Sequence, residues 1–136
     1  MNMNLKKNST KPTVKLIVEG GEGTLWGRVE YEDNLIVEEA NSIEELEGSM
    51  QQLLLDFHAL DPTTYEFKIE YDLTAFFEQF NFLKVTKIAE LSGLNGSLVR
   101  QYANGQKQAS AKQAEKIESA IRKVAQQLAE VHIYAR

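Results

Sequence analysis

At 136 residues, with 43% apolar side chains and no cysteine, the chain can bury a core as one domain or two small ones, and it excludes a disulfide framework, a zinc ribbon and a thiol nucleophile. Its net charge of -5 is divided: residues 1–72 carry six Lys or Arg against fifteen Asp or Glu, a net of -9, and residues 73–136 carry nine against five, a net of +4. No stretch approaches the roughly 20 apolar residues of a membrane span and the N-terminus lacks an apolar signal core, so a protein of the reducing cytoplasm is expected.

In chain order, residues 1–12 are polar and read as a flexible lead-in. Thr13 to Glu19 is β-branched and apolar enough for a strand buried on both faces, residues 20–23 (GGEG) form a loop, and Leu25 to Glu30 resumes as strand. A turn at Tyr31 to Asn34 leads to a third strand, Leu35 to Glu38. The spacing Gly21-x-Gly23-x-x-x-Gly27 is a hairpin and not a phosphate loop, because strand residues follow where a phosphate-cradling helix must begin. Ser42 and Glu45 form a capping box that starts a helix. Its apolar stripe is Ile43, Leu46, Met50, Leu53, Leu54 and Phe57, with Glu44, Glu47, Gln51 and Gln52 outward. Gly48 within it is either tolerated or allows close approach to the sheet. After the break at Asp61-Pro62, Tyr65, Phe67, Ile69 and Tyr71 alternate with Glu66, Lys68 and Glu70, which is a strand. Residues 13–72 thus form a strand-strand-strand-helix-strand module with one sheet face covered, an antiparallel-type sheet.

Residues 73–136 read as an all-α unit, and the whole chain as α+β. Asp72 caps a short helix carrying Leu73, Phe76, Phe77 and Phe80. A helix from about Val85 to Ser92 stops at Gly93, where a positive φ favours a residue without Cβ. Asn95 caps the next helix, which places Gly96, Ser97, Arg100 and Gln101 on one face and Leu98, Val99 and Tyr102 on the other, before Asn104-Gly105 closes it. Small Ala89 lets the two helices cross closely. This is the grammar of a DNA-binding helix-turn-helix. Gly96, Ser97, Arg100 and Gln101 are the positions that reach base edges in a double-stranded operator, and Lys84, Lys87, Asn95, Lys107 and Lys112 those that contact phosphates. A second capping box, Ser110 to Gln113, opens a helix expected to reach about His132. Ile117 and Ile121 close the helical core. Beyond them the helix either packs on the first module or dimerises through a seam of Val124, Leu128 and Val131; half-site recognition favours the homodimer or a higher oligomer.

Catalytic signatures are weak. His58 and His132 are isolated, the serines sit at caps, and neither a metal nor a cofactor is expected. Glu30, Glu32, Asp33, Glu38 and Glu39 cluster around a turn as a solvated acidic rim; in a nuclease such acids would hold a metal. A binding protein, not an enzyme, is the reading.

Residues 84–113 resemble the Cro/phage-repressor type of helix-turn-helix: Ile88-Ala89 match its apolar-alanine pair, Gly93 its turn, Asn95 its cap, Val99 its core position and Asn104-Gly105 its helix end. Val85 stands where that family often has glutamine. The first module resembles the HicB antitoxin family, which joins a partial RNase H-like βββαβ domain to a C-terminal DNA-binding motif. The resemblance implies an antitoxin of a type II toxin-antitoxin system. Such a protein binds and neutralises a small, basic, RNA-cleaving HicA-like toxin, here through Glu30, Glu32, Asp33, Glu38 and Glu39, and represses its own operon. The alternative is a stand-alone regulator whose first module senses a ligand or dimerises.

Overall fold

A computed structural model describes residues 10–136; the expected lead-in lies, as far as residue 9, outside the described residues. The elements are β1 (Thr13–Gly21), β2 (Thr24–Tyr31), β3 (Asn34–Ala40), α1 (Ile43–His58), β4 (Glu66–Tyr71), α2 (Leu73–Gln79), α3 (Val85–Ser92), α4 (Gly96–Ala103) and α5 (Ala111–Ala129). Among the described residues the architecture is α+β, with a four-stranded mixed sheet and five α-helices. Among the described residues no helix is long and apolar enough to cross a membrane.

Two-residue turns make the meander. Gly21 pairs with Thr24 and Tyr31 with Asn34, leaving Glu22-Gly23 and Glu32-Asp33 as the loops. All four loop residues have positive φ, from 49° to 83°. That backbone matches the right-handed twist of the flanking strands. At Glu32 the left-handed turn is steadied by Asn34 Nδ2, which donates to the Glu32 carbonyl at 2.9 Å.

The sheet order is β3-β2-β1-β4, and β4 runs parallel to β1, with Leu16 beside Ile69. This corrects the antiparallel-type expectation. One helix lies between β3 and β4, so the chain returns to the end at which β3 began, and β4 must run with β3 and therefore with β1. Asp61 guides that return: its carboxylate accepts from the Thr63 N–H at 2.9 Å and the Thr63 hydroxyl at 2.8 Å, which holds its pKa below the usual value and starts a 3₁₀ turn at Pro62–Thr64.

Ser42 Oγ caps α1 by accepting from the Glu45 N–H at 3.1 Å, and the Glu45 carboxylate reaches back to the N–H of Asn41. Leu46, Met50 and Leu54 are fully buried against Leu16, Val18, Leu25 and Val29. Phe57, expected in this stripe, is instead 75% exposed. A four-residue step from Met50 through Leu54 reaches His58, whose ring meets Tyr31 edge to face at 5.2 Å. The close approach between α1 and the sheet occurs at Gly27, where a Cβ would lie 2.8 Å from Leu46 Cδ2, whereas a Cβ on Gly48 meets nothing within 4 Å. Gly48→Ala should therefore raise stability by about 0.5–1 kcal/mol, read as a higher thermal midpoint, by lowering unfolded-state entropy without a clash.

A second core forms from Phe77, Ile88, Ala89, Val99, Tyr102, Ile117 and Ala120. Helix α2 belongs to both cores, because Ala75 packs with the sheet and Phe77 with the other helices. The Asp72 carboxylate accepts from the Ala75 N–H at 2.8 Å, capping α2, and from the Gly20 N–H at 3.2 Å, tying that helix to β1. On its other side the Thr74 hydroxyl donates to the Tyr102 carbonyl at 2.9 Å.

Ser110 caps α5 by accepting from the Gln113 N–H, while Gln113 Oε1 is buried without a hydrogen-bond partner, so the reciprocal half of that capping box is not made. The helix ends at Ala129, three residues before the expected His132, which leaves Val131 outside it. Its distal part does not pack on the first module: residues 125–136 are all exposed.

Candidate nucleic-acid interface and an open sheet face

The two-helix unit α3–α4 is built from local signals. Gly93 has φ 73°, and the following N–H of Leu94 reaches the Ala89 carbonyl at 3.0 Å, which terminates α3 in a left-handed cap. Two residues later Asn95 Oδ1 accepts from the N–H groups of Ser97 (2.8 Å) and Leu98 (3.3 Å) and opens α4. Ile88, Ala89, Val99 and Tyr102 hold the pair on the second core. Helix α3, by contrast, begins after Lys84 with no side-chain cap.

This packing leaves one polar side of α4 outward. Ser97 and Arg100 are exposed and one turn apart, with the guanidinium Nη2 donating to Ser97 Oγ at 3.1 Å. Gly96 and Gln101 are half-buried. A Cβ on Gly96 would make only ordinary contacts, 3.7 Å to Arg100 Nη1 and 3.9 Å to Thr86 Cγ2, so packing within the chain does not demand glycine there. Asn104, four residues after Arg100, extends the same side and is exposed, although its Oδ1 accepts from the Gln106 N–H at 3.0 Å. It was overlooked because it also reads as a helix terminator. Lys84, Lys87, Lys107 and Lys112 are all exposed around these helices. Lys87 pairs with Glu90 at 3.4 Å, an exposed contact worth about 0–1 kcal/mol that a phosphate can replace.

Among the described residues, the sheet face opposite α1 is open. Cross-strand neighbours share a face, and the register places Glu19, Trp26 and Glu39 in one row and Ile17, Arg28 and Val37 in the next. Trp26, Leu35 and Val37 are 46%, 60% and 50% exposed. Arg28 pairs with Glu19 at 2.9 Å, while Lys15 pairs with Glu70 at 3.5 Å on the strand beyond. Trp26 and Glu39 border a shallow hollow of about 280 Å³ above the first hairpin.

The five acids expected to act together are divided among three places. Glu30 and Glu39 belong to this open face by strand alternation, Glu38 falls on the α1 side and is half-buried, and Glu32 and Asp33 form the second hairpin loop. Glu32 lies 3.5 Å from His58 Nδ1. Among the described residues no group of three His, Asp or Glu is placed to hold a metal ion. Trp26 and Glu19 were the missed members of the face, and period-two alternation from buried Leu25 would have found the tryptophan.

A larger groove, about 750 Å³, runs between β4 and the first half of α5, with Ile69, Tyr71, Leu73, Ile117 and Ile121 among its walls. Burial, with a smaller contribution from Glu47, pushes the Tyr71 phenol above its usual pKa. Of the expected seam, Val124 packs partly into the second core, Leu128 is 59% exposed and Val131 is 53% exposed beyond the helix. Comparison of the chain with protein-family models, with curated proteins and with solved structures found no match.

Proposed function

We propose that this chain is a two-ended regulator: α3 and α4 act as a helix-turn-helix on double-stranded operator DNA, and the open sheet face captures a small basic protein. In the antitoxin reading that protein is an RNA-cleaving toxin and the operator is the pair's own. The observation that carries the reading is the outward side of α4, where Ser97, Arg100 and Asn104 stand on a buried apolar support between exposed lysines. A short helix so presented can enter a major groove, with Arg100 offered to guanine and the lysines to phosphates. The protein-binding half rests on Trp26 between Glu19 and Glu39: an exposed aromatic flanked by carboxylates suits an arginine or lysine side chain, and a net-negative module speeds capture of a basic partner.

The test is a footprint on the DNA upstream of the gene. Arg100→Ala should weaken the cognate site by about 1–3 kcal/mol and relax its sequence preference, whereas Lys112→Ala should weaken all sequences alike and flatten the salt dependence. Wild-type binding by both variants would refute the assignment of α4. Co-expression with the product of an adjacent gene for a short basic protein tests the other half through co-purification and loss of toxicity. A stand-alone regulator is the second reading, favoured by the groove beside β4, whose apolar walls could receive a small ligand.

A further inference from the structure

Among the described residues β4 is an edge of the sheet, with β1 on one side and no strand on the other. Backbone groups of alternate strand residues turn to opposite sides, and here the Glu66 N–H donates to the Pro12 carbonyl at 3.0 Å and the Asp72 N–H to the Val18 carbonyl at 2.9 Å. Glu66, Lys68, Glu70 and Asp72 thus turn their main-chain groups to β1, while Phe67, Ile69 and Tyr71 direct their N–H and C=O groups outward. From Lys68 to Asp72 this free side borders the open groove in front of α5. Such an edge is a template for another strand. The side chains add a second requirement. Phe67, Ile69 and Tyr71 are half-buried at the margin of the sheet core, and exposed Lys68 and Glu70 stand on the opposite face. Lys68 lies beside Lys15 in the parallel ladder, an unfavourable like-charge pair. Lys15 takes Glu70 at 3.5 Å, and among the described residues no carboxylate pairs with Lys68.

We propose that the occupant of this edge is β4 of a second copy, the two strands pairing antiparallel about a two-fold axis through Ile69 and joining the two sheets into one. The charges argue for it. In that register Lys68 of each copy faces Glu70 of the other, Phe67 faces Tyr71 and Ile69 faces its own counterpart. Lys68 gains the carboxylate it lacks within the chain, and each Glu70 stands between a lysine of its own copy and one of the other. The same register brings the outward backbone groups into use, because Ile69 with Ile69 and Phe67 with Tyr71 are then the hydrogen-bonded pairs of the ladder. Asp72, opposite Glu66, has its carboxylate already held by the Gly20 and Ala75 N–H groups. Other axes are worse. One through Lys68 sets Lys68 against itself and Glu66 against Glu70, one through Glu70 sets that residue against itself, and one through Phe67 forces the turn at Pro62–Thr64 into the ladder. The interface is isologous, as a dimer of identical chains requires. It stands whether or not α4 binds DNA.

The experiment is sedimentation of the full chain without DNA, together with cysteine cross-linking. The wild type should self-associate. Lys68→Glu and Glu70→Lys, both at exposed positions, should each weaken association roughly tenfold, since each turns two attractive cross-strand pairs into repulsive ones, and the double exchange should return it to near the wild-type value. Ile69→Cys, in a chain with no other cysteine, should be joined to its counterpart by a short bifunctional thiol reagent, because residues of a hydrogen-bonded antiparallel pair have Cα atoms about 5.5 Å apart. Val37→Cys, exposed on the edge strand β3 at the other side of the sheet, should not be joined. A wild-type monomer, association indifferent to the single exchanges, a double exchange that fails to restore it, or equal cross-linking at 69 and 37 would each overturn the proposal.

Discussion

Replacing Gly20 by alanine is expected to destabilise the protein by about 2–3 kcal/mol, measured as a fall in the urea midpoint at unchanged slope. The added Cβ would lie 2.8 Å from the nitrogen and 3.0 Å from the Cα of Ala75, and 3.1 Å from Glu78 Oε2. The glutamate tip can swing away, but the Ala75 atoms are main chain and can yield only if α2 lifts from β1. That movement would stretch the hydrogen bonds by which Asp72 holds both Gly20 and the start of α2. Because Ala75 seals the sheet core and Phe77 the helical core, the displacement is felt in both. Gly21, with φ 150° and nothing within 4 Å of its Cβ position, has no such neighbour. A loss at Gly20 no larger than that of an ordinary surface substitution would mean that α2 slides freely, and the shared-helix account would be wrong.

The second large effect lies under α1. Leu46 is fully buried and its methyl groups occupy the hollow left by Gly27, so Leu46→Ala should cost about 2–5 kcal/mol, the range for a leucine removed from a packed core. Gly27→Ala alone crowds the same methyl groups and should cost about 1–3 kcal/mol by overpacking. The two together should cost less than their sum by about 1 kcal/mol or more, since the new Cβ enters space that the leucine has vacated and residues sharing one space couple. Chemical denaturation of the four members of this cycle measures the coupling directly. Strict additivity would show that helix and strand do not meet through these two residues.

Both predictions concern contacts between segments far apart in sequence, and they mark where sequence reading stopped. Ser42, Asp72, Asn95 and Ser110 were recognisable as helix caps, and each accepts from a backbone N–H two or three residues ahead. Gly93 was recognisable as a stop, and it has the left-handed backbone expected of one. Phe57 and His58 show the limit of a periodic pattern. The three- and four-residue steps admit Phe57 to the apolar stripe of α1, yet it is His58 that turns inward, a choice decided by the position of Tyr31 on the adjacent strand. Glu30, Glu38 and Glu39 likewise sit close in sequence, but successive strand residues point to opposite faces, and the face covered by a helix is settled by the crossover.

The sequence by itself determined the order of the elements, the starts of the helices, the ends of α3 and α4 and the core positions of those two helices. These depend on residues within one or two turns of each other, where backbone geometry leaves few choices. Only the tertiary structure decided the parallel pairing of β4, the close approaches at Gly20 and Gly27, the open face around Trp26 and the point at which α5 ends. Each of these turns on which distant segment becomes a neighbour, a choice made by the packing of two cores against one shared helix.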